Sequence, residues 1–70
     1  MKYYYLVNGE IKAKINDTKS VNFIFDAITL KIKQDNHFSW LRTSPNIKQI
    51  MGNGILHIFC TEEYLNEFKK

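Results

Sequence analysis

Seventy residues carrying a net charge of +3, 44% hydrophobic and 14% aromatic, are too apolar for a disordered chain and too few for two cores, so a single domain over residues 1–70 is expected. The charge is uneven: residues 1–60 hold eight Lys/Arg against four Asp/Glu, and the last ten hold three Glu against two Lys. That field is too weak to identify nucleic acid as a partner and has the wrong sign for an acidic DNA mimic.

The first unit reads as a hairpin. Residues 2–8 and 10–15 flank Asn8-Gly9, the dipeptide that best tolerates the positive φ angles of a two-residue type I′ turn. Such a loop pairs Val7 with Glu10, Leu6 with Ile11, Tyr5 with Lys12, Tyr4 with Ala13 and Tyr3 with Lys14. Alternation then places Tyr4, Leu6, Ile11, Ala13 and Ile15 inward, with Tyr3, Tyr5, Val7, Glu10, Lys12 and Lys14 outward.

Residues 16–20, NDTKS, turn the chain, and the stretch after them supports two readings. Val21, Phe23 and Phe25 alternate on odd positions while Ile28, Leu30 and Ile32 alternate on even ones, which suits one long strand bent by a bulge near Asp26-Ala27. Val21, Phe25, Ile28 and Ile32 also form one stripe of a helix capped by Thr18 or Ser20. The β-branched alternation of ITLKIK favours strand for 28–33, and 21–27 stays open between the two.

QDN at 34–36 can turn the chain again, and HFSWLRT reads as a strand with Phe38, Trp40 and Arg42 on one face. Pro45 ends it. Residues 47–51 and 55–60 form a second hairpin about Gly52-Asn53-Gly54, with either the last two or all three residues in the loop. TEEYLNEFKK reads as a short helix with Thr61 as N-cap, Glu62 and Glu63 at the positive end of the dipole, and Lys69 and Lys70 at the negative end. Its stripe of Tyr64, Leu65 and Phe68 must dock on the sheet, because so short a helix is marginal alone.

The expected fold class is α+β, mostly antiparallel β: a small curved sheet or partly open barrel of about five strands, closed by one short C-terminal helix. The alternative is a ββαββα arrangement with a second helix near residues 18–30.

No catalytic set emerges. His57 and Cys60 are three apart, hence on opposite faces of a strand, and a thiolate nucleophile would lack its base. These two and His37 fall short of the four ligands of a structural zinc site, and Cys60 reads as a small core residue. GNGI lacks the spacing of a dinucleotide fingerprint. A non-enzymatic protein without cofactor or metal is expected. The lone cysteine excludes an internal disulfide, apolar runs are too short to span a bilayer, and MKYYY lacks the apolar stretch of a signal peptide, so a cytoplasmic location is expected.

The candidate binding residues are Tyr3, Tyr5, Lys12, Lys14, Lys31, Lys33, Trp40 and Arg42. If ITLKIK is a neighbouring strand, two tyrosines and four lysines share one sheet surface. It would suit an acidic protein partner or, by stacking on bases and meeting phosphates, a single-stranded nucleic acid. The same lysines would otherwise only keep the face soluble and its edge unpaired. Trp40 reads first as the largest piece of core; exposed, it would form a hot-spot triplet with Phe38 and Arg42. Nine Ile, seven Asn and nine Lys against one Arg point to an AT-rich genome, such as that of a low-GC bacterium or a bacteriophage. The leading expectation is therefore a phage or mobile-element accessory protein that binds a host protein and inhibits or redirects it by steric occlusion. A weak single-strand binder is the alternative, disfavoured by the near absence of Arg. A homodimer would enlarge so small a core.

Overall fold

Two Asn-Gly turns organise the sheet. The computed structural model, which describes residues 2–69, places Asn8, Gly9, Asn53 and Gly54 all at positive φ, between 52° and 87°. Each pair closes a two-residue hairpin: β1 (Tyr3–Val7) with β2 (Glu10–Ile15), and β4 (Ile47–Gly52) with β5 (Ile55–Thr61). Between the hairpins run α1 (Thr18–Gln34) and β3 (Phe38–Thr43); after β5 a 3-10 turn, Glu62–Tyr64, leads into α2 (Leu65–Phe68). The five strands form one unclosed antiparallel sheet in the order β2-β1-β5-β4-β3, a small α+β fold. Among the described residues no helix is long and apolar enough to cross a membrane.

Both faces of the sheet are covered. Val21 and Phe25 of α1 pack on Tyr3, Ile50 and Phe59. On the other face Tyr64, Leu65 and Phe68 pack against Leu6, Ile47, Ile58 and Cys60. Strands buried on both sides need near-continuous apolar runs rather than strict alternation. YYYLV and ILHIFC are such runs.

Two-sided burial corrects the hairpin register expected from alternation alone. The pairs nearest the turn hold, Val7 with Glu10 and Leu6 with Ile11, but Lys12 is then an extra residue in β2. Beyond this bulge Tyr5 pairs with Ala13, Tyr4 with Lys14 and Tyr3 with Ile15. Tyr3, expected outward, is only 4% exposed beneath α1, while Lys14 crosses to the face of Tyr4.

Residues 28–33 are helix, not strand. The even-odd phase switch is the shadow of a 3.6-residue period: Val21, Phe25, Ile28 and Ile32 all meet the sheet. The cap is Asp17, not Thr18 or Ser20. Its Oδ1 accepts the Ser20 N–H at 2.7 Å and its Oδ2 the Ser20 hydroxyl at 3.0 Å, and these bonds hold its carboxyl below the usual range. At the other end Asn36 takes φ 59° and Lys31 and Lys33 occupy the last turn.

A second bulge lies at Ser39. Phe38 pairs with Gly52, but Trp40 pairs with Met51, so Phe38 shares the α1 face with Leu41 and Thr43 while Trp40 and Arg42 share the other. The triplet of Phe38, Trp40 and Arg42 is thereby split. Thr61 sits at the cap position of the 3-10 turn without a side-chain capping bond, Glu62 and Glu63 fill its first turn, and Lys70 lies outside the described residues.

At Gly52 the side chain of Ile32 from α1 comes close against the backbone of the β4–β5 turn. A Cβ there would fall within the Ile32 side chain and 3.1 Å from the His37 carbonyl oxygen. Gly52→Ala is expected to lower the unfolding free energy by about 1–3 kcal/mol. The check is a lower urea midpoint at unchanged m-value.

Candidate functional site

The tyrosine–lysine face does not assemble. Tyr3 is core, and its hydroxyl lies 3.3 Å from Thr18 Oγ1. Tyr5 lies half-buried on the α1 side of the sheet. Lys12 stands in the bulge, paired with Glu10 at 3.3 Å, and the Lys14 ammonium sits 5.9 Å from the Tyr4 ring centre on the opposite face. Lys31 and Lys33 belong to α1, where the Lys33 ammonium is 5.3 Å from the ring centre of Phe38. The two tyrosines and four lysines therefore share no surface. No base-stacking platform of the kind a single-strand binder uses is built from them.

Tyr5 instead belongs to an aromatic ladder. Its ring stacks on Phe59, the residue directly opposite in β5, at 4.6 Å between centroids, and on His57 at 6.0 Å. Its hydroxyl lies 2.8 Å from His57 Nδ1. Burial pushes the Tyr5 phenol up and the His57 imidazole down from their ordinary values. A phenol that keeps its proton is the natural donor, so Nδ1 is assigned as acceptor and the ring proton as residing on Nε2.

His57 also lines a cleft of about 290 Å³ between the end of α1 and the β4–β5 turn, together with Ile28, Lys31, Ile32, Asp35 and His37. The volume is small for a ligand site, and its one lining polar side chain that is not exposed, the half-buried His57 imidazole, is already held by Tyr5. Cys60 lies on the far face of the sheet, fully buried, with its thiol pushed up to about 11 by burial and the charge of Glu67. Nucleophile and imidazole are thus on opposite sides of β5, and the geometry joins them in no catalytic arrangement. Among the described residues no three His, Cys, Asp or Glu side chains cluster as metal ligands.

The exposed apolar groups mark the surface more clearly. Phe23 is 76% and Leu30 60% exposed, on the side of α1 turned away from the sheet. Trp40, 43% exposed, is an edge residue rather than core, and Phe38 and Leu41 are exposed on the same strand. Trp40 and Arg42 remain together on one face, beside Met51 and Gln49 of β4. Phe23 and Leu30, which the strand alternation contains, are not among the candidate binding residues named from the sequence. Their signal was the i, i+7 spacing of two large apolar residues off the helical core stripe, invisible while 28–33 read as strand.

No family model, curated protein or solved structure matches the chain.

One titration follows from the ladder. Because burial holds His57 below its ordinary 6.5, the unfolded chain binds a proton that the folded chain refuses once the pH falls through that value. Stability is fully present above pH 6.5 and declines as the pH falls toward the folded-state value. An NMR titration of His57 is expected to show a midpoint below 6.5, and His57→Gln to flatten the slope of stability against pH just below it.

Proposed function

We propose that the chain is a non-enzymatic protein-binding module whose contact surface is the outer side of α1. The observation that carries this reading is the exposed strip of Phe23, Ala27 and Leu30, spaced i, i+4, i+7 along that helix. Singly, an exposed apolar side chain means little. Two large ones on one stripe, bridged by a small residue that lets another backbone approach, suit a helix laid against a partner.

Charge narrows the partner. The helix carries Lys19, Lys31 and Lys33 against Asp26, and the sole ion pair among the described residues is Lys12–Glu10. Lysines without carboxylate partners around an apolar strip complement an acidic amphipathic helix on another protein. In the accessory-gene setting that the AT-rich composition points to, such a module works by occluding a host protein's surface. Nothing in the geometry favours the nucleic-acid alternative.

The test compares the native chain with Phe23→Ser/Leu30→Ser in affinity captures from an AT-rich bacterial host. Both positions are exposed, so thermal stability is expected to stay within about 1 kcal/mol of the native chain while a captured partner is lost. Capture of the native chain is also expected to weaken with added salt. Identical captures by the two proteins would exclude the α1 surface.

A further inference from the structure

The sheet has two open edges, and they are not alike. The β2 edge carries Glu10, Lys12 and Lys14, with Lys12 in a bulge, which are standard defences against edge-to-edge pairing. The β3 edge, FSWLRT, has one charge, Arg42, and exposes Phe38, Trp40 and Leu41. No other element lies beyond it in the sheet.

Backbone parity says which groups are free. Ser44 N–H donates to the Ile47 carbonyl at 2.8 Å, and Trp40 and Arg42 stand opposite Met51 and Gln49. In an antiparallel ladder alternate residues bond inward, so Trp40 and Arg42, beyond the Ser39 bulge, are committed to β4. The N–H and C=O groups of Leu41 and Thr43 point out of the sheet.

We infer that the β3 edge pairs with β3 of a second copy, antiparallel about a two-fold axis at Leu41, doubling the five-stranded sheet. In this register Leu41 meets Leu41, and Trp40 stands opposite Arg42 of the other copy, twice over. Trp40 and Arg42 project from the same face of β3, so each guanidinium reaches the indole of the other chain, the best ring for a cation. Sliding one strand to oppose Leu41 and Thr43 would set Arg42 directly against Arg42, a like-charge pair. Sliding the other way sets Trp40 directly against Trp40, parts each ring from the cation, and brings the Ser39 bulge opposite Leu41. Only the Leu41-centred register opposes cation and ring, with Ser39 of each copy meeting Thr43 of the other at the two ends of the pairing.

The pairing would leave both α1 helices on one side of the joined sheet, presenting two Phe23–Leu30 strips together. One strand pair is a small interface, so the dimer is expected to be concentration-dependent rather than permanent. It stands independently of the α1 reading.

Sedimentation equilibrium tests it, with the emission of Trp40, the only tryptophan, as a second readout. A monomer–dimer equilibrium is expected, accompanied by a blue shift of emission as concentration rises. Arg42→Glu should weaken it about tenfold or more, since it removes two cation–π contacts, whereas Lys12→Glu on the other edge should leave it unchanged. Leu41→Cys should form a disulfide-linked dimer on mild oxidation, because a directly opposed antiparallel pair sits about 5.5 Å apart, within disulfide reach. Thr43→Cys should not. Buried Cys60, with its thiol at about 11, stays silent in both. A chain that stays monomeric to its solubility limit, a dimer indifferent to Arg42→Glu, or cross-linking at Thr43 in preference to Leu41 would each overturn the inference.

Discussion

Phe59 joins the layers of this protein. It lies fully buried on β5, the central strand, with one face stacked on Tyr5 of β1 at 4.6 Å and an edge set against Phe25 of α1 at 5.9 Å and 90°. These are the offset-stacked and edge-to-face arrangements in which aromatic pairs gain beyond area burial. The N-terminal hairpin, the helix and the C-terminal hairpin meet at this ring. Its sequence neighbours Ile58 and Cys60 do the corresponding work on the other face, beneath Tyr64, Leu65 and Phe68.

A chain of this size buries only about 60% of its unfolded surface, and concentrating that burial on one strand has a consequence at the periphery. α1 reaches across the middle of the sheet, and the short α2 covers part of the reverse side. Little is left to cover the outermost strands, so β2 and β3 are exposed along nearly their whole lengths. β2 meets that exposure with charge. β3 meets it with Phe38, Trp40 and Leu41, and α1 adds Phe23 and Leu30 on its free side. The same layering that makes a core thus leaves two apolar surfaces outside it, one on a helix and one on a strand edge.

Much of this was legible residue by residue. Both hairpins were, because Asn-Gly encodes a turn locally through positive φ, although the second loop stood open between two and three residues and the first register missed the bulge at Lys12. So was the separation of His57 from Cys60, which needs only the two-residue period of a strand. The C-terminal helical turn followed from its composition, although Thr61 makes no capping bond. The helix over Thr18–Gln34 was legible only in part. Its core stripe was visible, but Ile28, Thr29 and Ile32 favour strand intrinsically, and burial against the sheet overrode that preference. Trp40 was misread because a lone large aromatic belongs in the core only when its strand is central, and strand order is not written locally.

By itself the sequence determined where the chain turns, which segments could be strands, and that no disulfide could hold it together, since each of these depends on a residue's own backbone preference or chemistry. Only the tertiary structure decided which side of each strand is inside. Tyr3 and Tyr5 alternate away from Tyr4 on any reading, but whether they meet water or a core depends on α1 lying across them. The bulges at Lys12 and Ser39 then redirect every side chain beyond them. That choice belongs to layers brought together across dozens of residues, where the burial of both sheet faces, rather than any local propensity, sets the free energy.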